Sequence, residues 1–76
     1  MASMNSDELN RVLKGYLEAK YGLALDYFMV EGKMAPDANG DMGVTGSYRK
    51  KAGDKKIFFT VTVNVASHKI QNLQEY

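Results

Sequence analysis

Seventy-six residues, with ten Lys and Arg against nine Asp and Glu, carry a formal charge of +1 at pH 7, which gives no bulk attraction to nucleic acid or to an anionic membrane. The absence of cysteine excludes disulfides and thiolate metal sites, and a single histidine leaves too few of the usual ligands for zinc. A chain of this length builds one core, near the lower limit at which packing alone supports a fold, so almost every apolar side chain must serve that core or a partner's surface.

No apolar run approaches the roughly 20 residues of a membrane span, and "MASMNSDELN" lacks the charged-then-apolar layout of a signal peptide. The chain reads as soluble, with the cytoplasm favoured, and as one domain over residues 1–76 in which residues 1–5 are expected to be disordered. In "NSDELNRVLKGYLEAKYGL", Leu9, Val12, Leu13, Tyr16 and Leu17 recur at the three-and-four spacing of one helical face, and Lys20 extends it by snorkelling. Asn5 or Ser6 can cap the first amides, Asp7 and Glu8 suit the positive end of the helix dipole, and Gly22 marks the stop. The spacing predicts a helix from Ser6 to Tyr21. Gly15 costs about 1 kcal/mol relative to alanine inside a helix, and its place beside the apolar stripe suggests a strand packed close against it.

"LALDYFMVEGK" predicts a strand from Leu23 to Lys33, with Leu25, Tyr27 and Met29 on one side and Asp26, Phe28 and Val30 on the other. "MAPDANGD" gathers the turn-forming residues Pro36, Asp37, Asn39, Gly40 and Asp41. "MGVTGSYRK" resumes extended character, and "KAGDK" supplies a reversal at Gly53 and Asp54. In "KIFFTVTVNVA", Ile57, Phe59, Val61, Val63 and Val65 form an apolar face opposite Lys56, Phe58, Thr60, Thr62 and Asn64. Phe58 breaks that otherwise polar side and marks a contact or dimer surface. "KIQNLQEY" closes the chain as a short strand anchored by Ile70 and Leu73. The expected fold is α+β: one N-terminal helix packed on a curled three- to four-stranded antiparallel sheet.

Catalytic and metal-binding signatures are not evident. Asp37, Asn39 and Asp41 begin like a calcium loop, but Met42 and Tyr48 stand where such a loop needs its glycine and its bidentate glutamate, so a polar turn is the better reading. His68 has no nucleophile or acid motif beside it, and the acidic residues show no general acid and base pair. Arg49, Lys50, Lys51, Lys55 and Lys56, with Tyr48 and Phe58 nearby, form a basic hairpin of the composition that binds single-stranded nucleic acid; lysines in that position also solvate a hairpin and blunt edge pairing.

The order of elements, with "MGVTG" at Met42 to Gly46, "SYRKKAGDKKIFFTVTVNV" and the closing "KIQNLQEY", resembles the cystatin family. The resemblance implies a helix wrapped by an antiparallel sheet, with a first hairpin carrying Gln-x-Val-x-Gly, of which Val44 and Gly46 are kept and Met42 replaces the glutamine. Placed after the helix and the first strand, Gly43 and Gly46 read as a tight or bulged turn leading into the strand of Tyr48; on the family comparison Ala66, Ser67 and His68 occupy the second hairpin, where the family has Pro-Trp. No inhibitory glycine segment precedes the helix. The chain is similar as well to bacterial propeptide-like modules of the wider cystatin-like class.

The expected function is that of a non-enzymatic protein-binding module, a degenerate relative of cysteine-protease inhibitors that needs no cofactor. It is expected to bind through the loop from Met34 to Thr45 and the turn near Ser67 and His68, with Met42, Gly43, Val44, Thr45, Gly46, Ser67 and His68 as its contact residues. A nucleic-acid-binding domain using Arg49 to Lys56, and a structural or engineered scaffold without a dedicated partner, are the alternatives. Self-association by edge pairing or by exchange of the helix–strand unit is also expected.

Overall fold

The structure, a computed structural model, describes residues 5–76. The disorder expected over residues 1–5 therefore falls, apart from Asn5, outside the described residues. Asn5 is placed: its side-chain oxygen accepts the N–H of Glu8 at 2.7 Å, which caps helix α1, Ser6–Tyr21. Gly22 ends the helix with a left-handed φ of 70° and donates its N–H to the Glu18 carbonyl at 2.8 Å. The Glu18 carboxylate then accepts the N–H of Leu25 at 2.9 Å, which fixes the direction in which the chain leaves the helix.

Four strands follow: β1, Tyr27–Lys33; β2, Asp41–Arg49; β3, Ile57–Asn64; and β4, Ile70–Glu75. They form one antiparallel meander in the order β1-β2-β3-β4, with α1 on one face. The α+β fold read from the sequence is thus present, with four strands in the sheet. Strand β1 starts later than the spacing predicts, because residues 22–26 are spent on the helix cap and on a bond from the Asp26 N–H to the Arg49 carbonyl.

The core joins Leu9, Leu13 and Leu17 of α1 to Met42, Val44 and Tyr48 of β2 and to Phe59, Val61 and Val63 of β3. Burying each of the three leucines contributes about 1.5–3 kcal/mol. Two expectations for the helix differ: Tyr16 of the predicted stripe is exposed, and Gly15 beside that stripe has no atom within 4 Å of where a Cβ would stand, so no strand uses the missing side chain. The three leucines, four residues apart, already fill the space over the sheet, which leaves Gly15 and Tyr16 on the solvent side.

The largest correction concerns Met42 to Gly46. These residues form no turn; they lie inside β2, a central strand bonded on both sides, with Val44 opposite Lys33 and Val61, and Gly46 opposite Val30 and Phe59. The turn after β1 is Met34–Gly40 instead, where Asp37 and Gly40 supply the reversal. Gly46 is required by a close approach, since a Cβ there would stand 2.4 Å from the Met29 carbonyl oxygen and 2.7 Å from the Phe59 ring. Both edge strands are bulged: β1 carries an extra residue at Glu31, and β4 gains one opposite Thr60–Thr62, where Asn72 takes a φ of 58°.

Gly46→Ala is expected to lower unfolding free energy by about 1–3 kcal/mol, because a backbone carbonyl cannot move aside for the added methyl group. Gly15→Ala should raise it by up to about 1 kcal/mol. Urea unfolding of the two variants beside the parent chain checks both signs.

Candidate functional site

The two ends of the sheet differ in character. At one end the β1–β2 loop and the β3–β4 turn lie side by side. Asp37 organises the loop: one carboxylate oxygen accepts the N–H groups of Asn39 at 2.8 Å and Asp41 at 3.0 Å. That oxygen is occupied by the backbone, which is the Asx-type polar turn expected of "DANGD". The β3–β4 turn is organised by Asn64, whose side-chain oxygen accepts the N–H groups of Ala66 and Ser67 at 3.0 Å each. His68 takes a φ of 62° and donates its N–H to the Asn64 carbonyl at 2.8 Å.

Asn64 also ties the two loops together. Its amide donates to the Asn39 carbonyl and to the Asp41 carboxylate, both at 3.0 Å, while the N–H of Val65 donates to the Gly40 carbonyl at 2.8 Å. Ser67, His68 and the loop residues Met34 to Asn39 remain exposed on this tip. A hollow of about 230 Å³ flanks it, between Ser6, Leu9 and Asn10 of α1 and the end of β1. The result is a narrow, pre-ordered polar edge made of two loops.

The contact residues expected from sequence divide three ways. Ser67 and His68 stand on the tip. Met42 and Val44 are only 4% and 1% exposed, and Gly46 lies beneath Phe59, so none of these three presents a side chain to a partner. Gly43 and Thr45 lie on the sheet face away from the helix. The alternation of β2 causes this split, since Met42, Val44, Gly46 and Tyr48 share the core side. Asn64 was visible in the sequence only as one more polar residue on the face of Thr60 and Thr62; its two-sided role depends on loop positions that a local pattern does not carry.

The opposite end holds the basic hairpin. Arg49 donates from Nε and Nη2 to one Asp26 oxygen at 2.9 and 2.5 Å. The Lys50 ammonium sits 3.8 Å from the centre of the Tyr21 ring, and that of Lys56 4.5 Å from the Tyr27 ring. Lys51 and Lys55 are exposed on the turn between them. Three of the five charges expected to form a basic patch therefore have partners within the chain.

Beside that hairpin, Tyr48 and Tyr21 both donate their hydroxyls to Glu75, the latter at 2.5 Å, and Lys20 approaches the same carboxylate at 3.9 Å. Burial, reinforced by the bonds to Glu75, pushes both phenols above their ordinary value. For Glu75, burial acts upward, but the two hydroxyl donors and the charges of Lys20 and Lys50 outweigh it and hold the carboxyl below its ordinary value. The cluster fastens β4 to the end of the helix. Among the described residues there is no grouping of three metal-ligating side chains, and no helix is long and apolar enough to cross a membrane.

The fold and its ends define a small α+β domain with a loop-built tip. No family model matches the chain, nor does any curated protein or solved structure.

A carboxyl whose folded pKa is depressed contributes stability that is fully present above its unfolded value, 4.5, and is lost as pH falls through the folded value. Glu75→Gln is therefore expected to be less stable than the parent at neutral pH, with the difference shrinking as pH drops below 4.5. Urea unfolding across an acid pH series checks it; a difference that stays constant would show that the charge of Glu75 contributes nothing.

Proposed function

We propose that this chain is a non-enzymatic protein-binding module that presents the tip formed by Asp37–Gly40 and Ser67–His68 to a protein partner. The observation that carries the reading is the cross-lock through Asn64, which holds two loops in one arrangement before any partner arrives. Pre-ordering of this kind removes the loop-ordering cost from binding and favours tip recognition. The resemblance to cystatins supports the same end of the molecule, since two adjacent hairpins form the inhibitory edge in that family. Here that edge would be built from Met34–Gly40 and Ser67–His68 rather than from Met42–Gly46. A papain-like cysteine protease is the partner class that follows. The nucleic-acid reading has less support, because Arg49, Lys50 and Lys56 already hold intramolecular partners.

Titration into a papain-like protease at micromolar concentration is expected to lower its activity, and Asn64→Ala, which unties the loops, to weaken the effect by roughly 10-fold. Unchanged protease activity would remove that partner class. A photo-reactive side chain placed at His68 should then label a discrete partner while one placed at Lys55 does not; equal labelling from both ends would overturn tip recognition altogether.

A further inference from the structure

The sheet has a second face, turned away from α1, and its composition is unusual for one left in water. Register sets Met29, Ser47 and Phe58 in one row across β1, β2 and β3, and paired backbone bonds between Phe58 and Tyr76 extend it to the end of β4. Met29, Phe58 and Tyr76 are 49%, 45% and 72% exposed, and Met34, 70% exposed, lies over Gly43 on the same face. Between Asp41 and Arg49, the outward positions of β2 and β3 are Gly43, Thr45, Ser47, Phe58, Thr60 and Thr62, and none carries a charge. A solvated antiparallel face normally alternates in charged residues, whereas depletion of charge at the centre is the composition of an interface core.

We propose that this face is the contact between two copies of the chain, packed sheet against sheet. The row is self-complementary. A two-fold axis parallel to the strands and midway between β2 and β3 sets the second copy's Phe58 over Ser47, and the second copy's Tyr76 over Met29. Ser47, although outward-facing, is wholly buried, with Met29 and Phe58 beside it in the row and its hydroxyl 3.4 Å from the Glu31 carboxylate, so an incoming ring packs on the side chains around Ser47 rather than on Ser47 itself. Methionine against an aromatic ring is a favourable contact. An apolar hollow of about 340 Å³ beside Met34, Gly43 and Thr45 lies further along β2 on the same face.

Size agrees with a dimer of moderate strength. Four strands about 4.8 Å apart and some seven residues long present a face of roughly 450 Å². Two copies then cover about 900 Å² of flat area before side-chain relief is added, against the roughly 1,000 Å² at which specific interfaces begin. The edges favour the same geometry by exclusion. Both outer strands are interrupted by an extra residue, Glu31 in β1 and one beside Asn72 in β4, and such bulges oppose edge-to-edge pairing. The face is separate from the tip, so either reading can fail without the other.

Light scattering on the intact chain should show twice the chain mass at high micromolar concentration and dissociation on dilution. Phe58→Lys and Thr60→Lys, both at outward positions that leave the core untouched, should each weaken the dimer by roughly 30-fold or more, as expected for a central anchor. Circular dichroism confirms that the variants keep their fold. In the parent chain, amide resonances of Ser47 and Phe58 should move with concentration while those of Lys51 and Lys55 do not, a readout that needs no variant. A monomer at millimolar concentration would overturn the proposal and leave the face to a different partner. A dimer indifferent to both substitutions would equally overturn it, in favour of edge pairing or exchange through Met34–Gly40.

Discussion

Phe59 lies across the central strand in the space that a side chain at Gly46 would occupy, and the rest of the sheet depends on this contact. Its ring stacks on Phe28 of β1 at 5.9 Å and tilts against Tyr48 of β2 at 6.1 Å, so one side chain of β3 touches both β1 and β2. Aromatic pairs at such separations add to what burial alone supplies. The ring takes the space over Gly46 and shares one core with Leu9, Leu13 and Leu17 of the helix. Any larger residue at position 46 would lift the ring and press on the Met29 carbonyl, disturbing both β1–β2 pairing and the core in one step.

From that centre the two ends of the sheet are finished by polar devices of different kinds. At the tip, one neutral amide, Asn64, satisfies backbone groups of two loops and makes them a unit. At the other end a carboxylate, Glu75, collects two phenols and leans on lysine charge, which secures the last strand to the end of the helix. The Glu75 cluster is a charge-assisted network that weakens when its proton returns. The Arg49–Asp26 pair near that cluster is partly solvated and contributes little by comparison.

The helix limits, the chain order of strands, the apolar side of β3 and the turn at "DANGD" were legible from local pattern. Each rests on neighbours in sequence: three-and-four spacing, strict alternation, or a side chain bonding its own backbone two residues on. The glycines were not legible in this way. Gly15 looked like a packing position and has open space above it; Gly43 and Gly46 looked like a turn and lie in a strand. A glycine in sequence records only that a side chain is missing, and what fills the space comes from another strand.

Local pattern alone makes this protein one α+β layer pair, with a helix followed by an antiparallel sheet, because periodicity assigns each residue to a face before any tertiary contact exists. It also marked Phe58 as an apolar residue on a polar side. Which residues meet was settled by the folded arrangement. It placed Met42 and Val44 in the core and drew Asp37–Gly40 beside Ser67–His68. It also set Phe58 in one row with Met29, Ser47 and Tyr76. The physical reason is register: pairing between strands distant in sequence fixes which side chains stand opposite one another, and no local spacing encodes that choice.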